Sequence, residues 1–307
     1  MSSIITNTAA MTALKTLQAT NSALETTQSR ISTGLKVGNA SDNAAYWSIA
    51  TTMRSDNKAL GSVQDALGLG AAKVDVAQTG LQASIEVVDE IKSKLVASRE
   101  PGVDKAKIQS EIGELQNQLT SIATSATFSG ENWLSQDSSA AGYSATKEVV
   151  GSFNRSASGA VSVGTVDIDI SATKLFDANG AATGILDETF TTTGGGAVTV
   201  SVSTLDITAA SIDATDIDEM ISAVDSALTD MTTAAADLGS SKGRIDMQKD
   251  FVSDLMGAIE RGVGSLVDAD MTKESTRLSA LQTQQQLGTQ ALAIANGSAQ
   301  SILSLFR

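Results

Sequence analysis

Apolar residues recur along this chain at alternating steps of three and four, the spacing of helices that pack through one narrow stripe. The last thirty residues show it most plainly. Leu278, Leu281, Gln285, Gly288, Leu292, Ala295, Ala299, Ile302 and Phe306 form an a/d stripe, broken in apolar character at Gln285 and Gly288. Near the other end Leu14, Leu17, Asn21, Leu24, Gln28, Ile31 and Leu35 keep the same spacing and predict an amphipathic helix over 4–35. Isolated helices are marginal in water, so each stripe needs a partner. The two ends are therefore expected to be halves of one coiled coil, with faces left over to pack against other copies. Asn21 and Gln28 are either buried polar positions that fix register or positions facing solvent; the pattern leaves both open.

Between the ends the pattern predicts three more helices. Leu60, Val63, Leu67, Gly70, Val74, Ala77, Leu81, Ser84, Val88, Ile91 and Leu95 place one over 59–98. Arg99-Glu100-Pro101-Gly102 reads as a turn, and Ile108, Ile112, Leu115, Leu119, Ile122 and Ala126 place a second helix over 104–126, antiparallel to the first because the turn is short. The third covers 214–266, its stripe running from Ile217, Ile221, Val224 and Leu228 to Val263 and Leu266, with Lys242 and Lys249 as its polar members. Gly34 and Gly38 interrupt the chain after the first helix, and Ser41 or Asp42 can cap the next. Gly262 and Gly264 are expected to loosen the chain before the last. These four glycines are either hinges or plain linkers. Over 135–209 the composition shifts to Gly, Ser, Thr and Asp with β-branched alternation, predicting strands through Val161–Ile170 and Val198–Val202 and a hairpin turn at 154–159.

Composition narrows the chemistry. Aromatics are only 3% of the chain against 41% apolar residues, which suits helix-on-helix packing by Ala, Leu, Ile and Val. Histidine and cysteine are absent, so disulfides, thiolate zinc sites and the commonest general base are excluded. No enzyme activity and no cofactor are expected. Asp167 with Asp169, or Asp213 with Asp216 and Asp218, lack the loop that calcium requires, and Gly194-Gly195-Gly196 lacks the Lys-Ser/Thr of a phosphate loop. A net charge of −14 argues against nucleic acid. The N-terminus has no basic residue before Lys15 and no apolar signal-peptide core. No apolar run approaches the roughly 18 residues of a membrane span, so no membrane insertion is expected.

Two blocks carry a resemblance. Arg30-Ile31-Ser32-Thr33-Gly34-Leu35-Lys36, followed by Asn39-Ala40-Ser41-Asp42-Asn43-Ala44-Ala45, resembles the N-terminal signature of bacterial flagellins. Met256-Gly257-Ala258-Ile259-Glu260, Asp268-Ala269-Asp270-Met271, and Ala293-Ile294-Ala295-Asn296 with Ser301–Arg307 resemble that family's C-terminal motifs, and Phe128–Leu134 its turn into an outer part. Tyr46-Trp47 departs from the pattern, since many members carry glycine and a small or polar residue there.

The resemblance implies a mainly α fold of long coiled-coil helices formed by paired N- and C-terminal regions, with a small β-rich outer insertion. Its expected parts are an inner coiled-coil domain of 1–40 with 268–307, a middle helical domain of 41–134 with 210–267, and an exposed outer segment of 135–209. The implied function is that of a structural subunit polymerising into the flagellar filament for swimming motility. A hook-filament junction protein of the same family is an alternative. So is a soluble signalling coiled coil, which the β-rich insertion between unequal helices fits less well. Implied partners are other flagellin subunits, the flagellar type III export apparatus acting on an uncleaved N-terminus, an export chaperone, and junction and cap proteins. The implied location is extracellular, in the secreted filament. Terminal helices that fold on assembly, and hinge roles for Gly34, Gly38, Gly262 and Gly264, belong to the same expectation. Flagellins of enteric bacteria also present a helical patch to Toll-like receptor 5. A gapless register places its arginines at Val87 and Asp89, its leucine at Ile91, its glutamine at Lys94 and its glutamate at Glu111, which predicts a poor agonist.

Overall fold

The computed structural model describes residues 7–180, 182–195, 197–209 and 212–304. Helices α1 (Thr8–Thr33), α2 (Ala44–Ser98) and α3 (Lys105–Ser125) precede eight strands, and α4 (Ala214–Val267) and α5 (Met271–Ser304) follow them. The fold is mainly α with a small β-containing insertion, as the periodicity predicted. The chain divides into two compact units, Met1–Lys58 with Met256–Arg307, and Ala59–Leu255.

In the 59–255 unit the apolar pattern translates directly into a core. Every one of the positions from Leu60 to Leu95 named above is buried, including Gly70 and Ser84. The Ser84 hydroxyl is satisfied by donating to the Gly80 carbonyl at 2.9 Å. Three ion pairs set α4 beside α2. Asp75 pairs with Lys242, Lys92 with Asp225, and Arg99 grips Asp218 through two bonds of 2.8 and 2.9 Å. The α4 partner number falls as the α2 number rises, so the two run antiparallel without a slip. Along α4, Ile217, Val224, Met231, Leu238, Ile245 and Val252 are buried as expected. The alternate positions are rotated by one residue: Met220, Ala227 and Ala234 are buried, while Ile221, Leu228 and Ala235 are half-buried. Helix α3 begins on an Asp104 cap that accepts the Ala106 N–H at 3.1 Å. It returns antiparallel to α2, with Lys94 reaching Glu111 at 2.6 Å.

The start of α2 and the residue that caps it differ from expectation. Helix α2 starts at Ala44 rather than near 59, because no proline or glycine interrupts 44–58 and Tyr46, Ile49, Ala50 and Met53 carry helical apolar spacing through its first turns. Its first turn is closed by Asn43, whose side-chain oxygen accepts the Tyr46 N–H at 3.1 Å. Asp42 turns back instead and accepts the N–H groups of Gly38 and Asn39.

The insertion packs onto this unit in pieces. Strands β1 (Thr127–Phe128) and β2 (Glu131–Asn132) flank Ser129 and Gly130, both at positive φ, as a type I′ turn requires. The turn delivers buried Leu134 against Gly80, where a Cβ would meet its Cδ1 at 2.7 Å. Strands β4 (Thr146–Arg155) and β5 (Val161–Asp169) form an antiparallel hairpin with a bulge between Val150 and Ser152. It is seated by Val149, whose methyl lies 2.5 Å from where a Gly70 Cβ would be. The Gln109 and Gln116 side chains of α3 hold the backbone at Val202, Leu205 and Ile207. At the base of α4, Asp213 and Asp216 satisfy N–H groups of the first turn and of Gly194, and Asp218 is committed to Arg99.

A buried polar knot fastens the insertion. The Lys174 ammonium donates to Asp177 at 2.7 Å in a pair almost wholly out of water. Thr183 also donates to Asp177, and the Ser138 N–H donates to it at 3.1 Å. Burial alone would push the Asp177 carboxyl up. The bonds from Lys174, Thr183 and Ser138 outweigh it and hold that carboxyl well below the usual carboxylate range.

Candidate assembly surface

The other unit is built on one pair of helices. Asn7 caps α1 by accepting the Ala10 N–H at 3.0 Å, and its amide reaches across to the Ala295 carbonyl of α5 at 3.0 Å. Asn21 accepts from the Gln285 amide at 2.8 Å, and Arg30 pairs with Glu274 at 3.3 Å. These contacts run in opposite directions along the two helices, so α1 and α5 are an antiparallel coiled coil. Gly288 is the close-approach point, where an added Cβ would stand 3.1 Å from a Leu17 methyl.

On α5 the predicted stripe is the observed one. Leu278, Leu281, Gln285, Gly288, Leu292 and Ala295 are its half-buried or buried positions, and Glu274 extends it one step toward the N-terminus. Ala299 and Ile302 lie on the same helix, but their side chains, like all of Phe306, lie outside the described residues.

On α1 the stripe is corrected. Leu17, Leu24 and Ile31 face α5, but Leu14 is 46% exposed and Gln28 is exposed. The innermost residues are Thr20 and Thr27. The contact line follows 13, 17, 20, 24, 27 and 31, with Asn21 half-buried beside it, rather than 14, 17, 21, 24, 28 and 31: the same three-and-four spacing, rotated about the helix axis so that the small threonines meet α5. Hydropathy is blind to threonine here. Thr20 enters the stripe because its hydroxyl is satisfied by the Thr16 carbonyl of its own helix at 3.0 Å. Arg30 and Glu274 were also missed, and only their charge complementarity could have flagged them. Asn21 proves to be a seam residue, paired with Gln285.

Leu35 leaves the seam altogether. It packs with Leu266 and Ile259 against a small cluster of Val37, Ala50, Val263 and Val267. The adjoining connections are clipped together by backbone bonds, Lys36 N–H to the Val267 carbonyl at 2.6 Å and Ala269 N–H to the Gly34 carbonyl at 2.8 Å. Of the four hinge candidates, Gly34 ends α1 in the left-handed conformation at φ +72°. Gly38 lies in the loop, bonded to Asp42. Gly262 and Gly264 are not a linker but two positions inside α4; the break before α5 falls at Asp268–Asp270, where Asp270 caps the new helix by accepting the Thr272 N–H at 3.0 Å.

The receptor register is corrected as well. Val87 is only 7% exposed and Ile91 fully buried, both in the α2 core. Neither can offer a side chain to a receptor, and an arginine placed at 87 would enter the core rather than the surface. Asp89 is exposed, and Lys94 and Glu111 are engaged with each other.

One property of the α1–α5 pair decides its use. Among its described residues only Thr20, Thr27, Glu274 and Leu281 are buried, while Met11, Leu14, Leu287 and Ile294 stand open. Long paired helices with so little of their surface covered define a coiled-coil subunit rather than a closed globular domain.

Comparison with known proteins gives the particular kind. The family pattern of the bacterial flagellin N-terminal helical region matches residues 4–139, and that of the C-terminal helical region matches 221–306. The chain is 52% identical over 323 positions to flagellin C of Rhizobium meliloti (strain 1021), 48% over 398 to flagellin A of Rhizobium meliloti, and 48% over 308 to flagellin of Brucella melitensis, with all of both chains covered each time. It belongs to the bacterial flagellin family, structural proteins, and is a subunit that polymerises into the flagellar filament.

Proposed function

We propose that polymerisation proceeds by covering the outer faces of α1 and α5 with the same helices of neighbouring subunits, and that this inner pair gains most of its stability in the filament. The observation that carries the reading is the thin seam: the pair buries so little of itself that its helices are marginal until neighbours add apolar contact. The inner, middle and outer parts expected from the resemblance serve this scheme, with 135–209 facing outward. Before assembly the chain passes unfolded through the flagellar type III export apparatus, escorted by an export chaperone, and junction and cap proteins bound the polymer. The absence of cysteine and the single proline suit such passage, since neither disulfides nor repeated proline isomerisation delays refolding. Gly34 and the clipped connections beside it are the place where inner and middle parts adjust to one another during switching.

Deleting residues 292–307 tests the central claim. It should abolish filaments seen by negative-stain microscopy while circular dichroism retains the helical signal of residues 41–267. Filaments of normal length from the truncated chain would refute it.

A further inference from the structure

The first three turns of α2 present an apolar face that no described part of the chain covers. Tyr46, Trp47, Ile49 and Met53 are 43, 39, 45 and 37% exposed. Ala50, among them on the same turns, is buried against Val37, Val263 and Val267, so the helix is anchored there and the bulky side chains are held outward around that anchor. Tyr46, Ile49 and Met53 flank Ala50 on one side and Trp47 flanks it about 60° away on the other, and aromatic and long apolar side chains at this exposure, ringing a buried anchor, are what interface centres are made of.

Charge identifies the occupant. From Asn43 to Met53 there is no acidic or basic residue, and Asp42 and Arg54 bracket the stretch. Two copies of a chain carrying −14 repel each other over most of their surfaces. A charge-free apolar face is where they approach at least electrostatic cost, whereas a basic partner would be steered to the acidic surface instead. The chain already associates with itself in a helical polymer, whose head-to-tail contacts require each patch to meet a different patch on the next copy.

We propose that the Tyr46–Trp47–Ile49–Met53 face is a subunit-to-subunit contact, covered in the polymer by a second copy of this chain. It rests on the filament reading and goes beyond it by naming residues of α2, outside the α1–α5 pair, two of which, Tyr46 and Trp47, depart from the family pattern. The bulky pair at 46 and 47, a departure from that pattern, becomes a contact particular to chains that carry it.

The two tryptophans make the test direct, because Trp133 is 3% exposed and reports a closed core while Trp47 reports the patch. In the variant Trp133→Phe, Trp47 emission should be open to acrylamide quenching in the monomer and fall, in the filament, to the protection shown by Trp133 in Trp47→Phe. Should Trp133→Phe not fold, the same quantity is the difference between the unaltered chain and Trp47→Phe. The double variant Tyr46→Ala/Trp47→Ala, unchanged in monomer circular dichroism, should raise the critical concentration for polymerisation about tenfold or more. Filaments that form normally with Trp47 as quenchable as in the monomer, or a double variant with an unchanged critical concentration, would overturn this contact while leaving the filament reading intact. An unaltered chain that forms no filament would sink both.

Discussion

The antiparallel α2–α4 packing of the 59–255 unit and the antiparallel α1–α5 pair use the same kind of helix and end in opposite states. In the first, the whole stripe from Leu60 to Leu95 is out of water, because α3, α4 and the β-containing insertion all press on α2. In the second, one stripe meets one stripe and the remaining faces stay open. The difference lies in the number of neighbours, not in the quality of the pattern. A helix with one partner hides a narrow line, and a helix with three hides a broad face, which is what turns heptad spacing into stability. The bare pair is therefore the half of the molecule that its own contacts stabilise least.

The sharpest way to break that contrast is to remove equivalent leucines from each side. Leu81→Ala, at a site with no exposure, should lower monomer stability by about 3 kcal/mol through lost transfer energy and a residual cavity. Leu281→Ala, at the buried leucine of the thin seam, should cost the monomer less, about 2 kcal/mol, because fewer neighbours surround the space it leaves, yet raise the critical concentration for assembly. Urea titrations of both monomers decide it: equal losses would mean that the α1–α5 pair is as self-sufficient as the bundle.

Next in size is Asp177. Replacing it by Asn removes one partner of a buried ion pair and should cost about 3 kcal/mol. Its acid dependence has a definite sign. The folded carboxyl is held below its unfolded value, so its stabilisation is fully present above the ordinary aspartate range near about pH 4. It is lost as pH falls through that range toward the folded value. Thermal melts at successive pH values should show the unaltered chain losing stability below that range more steeply than Asp177→Asn. Parallel curves would rule the buried pair out as an acid-sensitive fastening.

The smallest expected effects concern glycines that look alike in sequence. Gly34→Ala forces a side chain into the left-handed conformation and should destabilise by about 1 kcal/mol, although nothing lies within 4 Å of the new methyl. Gly262→Ala sits in open helix and should stabilise by up to about 1 kcal/mol. Opposite signs in thermal unfolding would separate a required backbone conformation from a merely tolerated glycine; the same sign would return both to the role of linkers.

Legible in the sequence were the existence of the five helices, the α5 stripe from Leu278 to Ala295, the α2 core from Leu60 to Leu95, the Pro101 turn and the β4–β5 hairpin. All of these rest on local periodicity or turn chemistry, which the chain carries without reference to its neighbours. The motifs at both ends also carried the family. Tertiary structure alone decided which of two adjacent residues faces the partner. Thr20 and Thr27 displaced Asn21 and Gln28 at the centre of the α1 seam, and Met220, Ala227 and Ala234 displaced Ile221, Leu228 and Ala235 on α4. One residue is a rotation of about 100° on a helix, and that angle is set by how two whole surfaces interlock. The same reason put Val87 in the core although the receptor register had placed it on a surface, while Ile91 already belonged to the stripe read from the sequence. It also drew Leu35 out of the coiled coil into the cluster with Val37, Ala50, Val263 and Val267, a contact no spacing could announce because its members come from three distant stretches of chain.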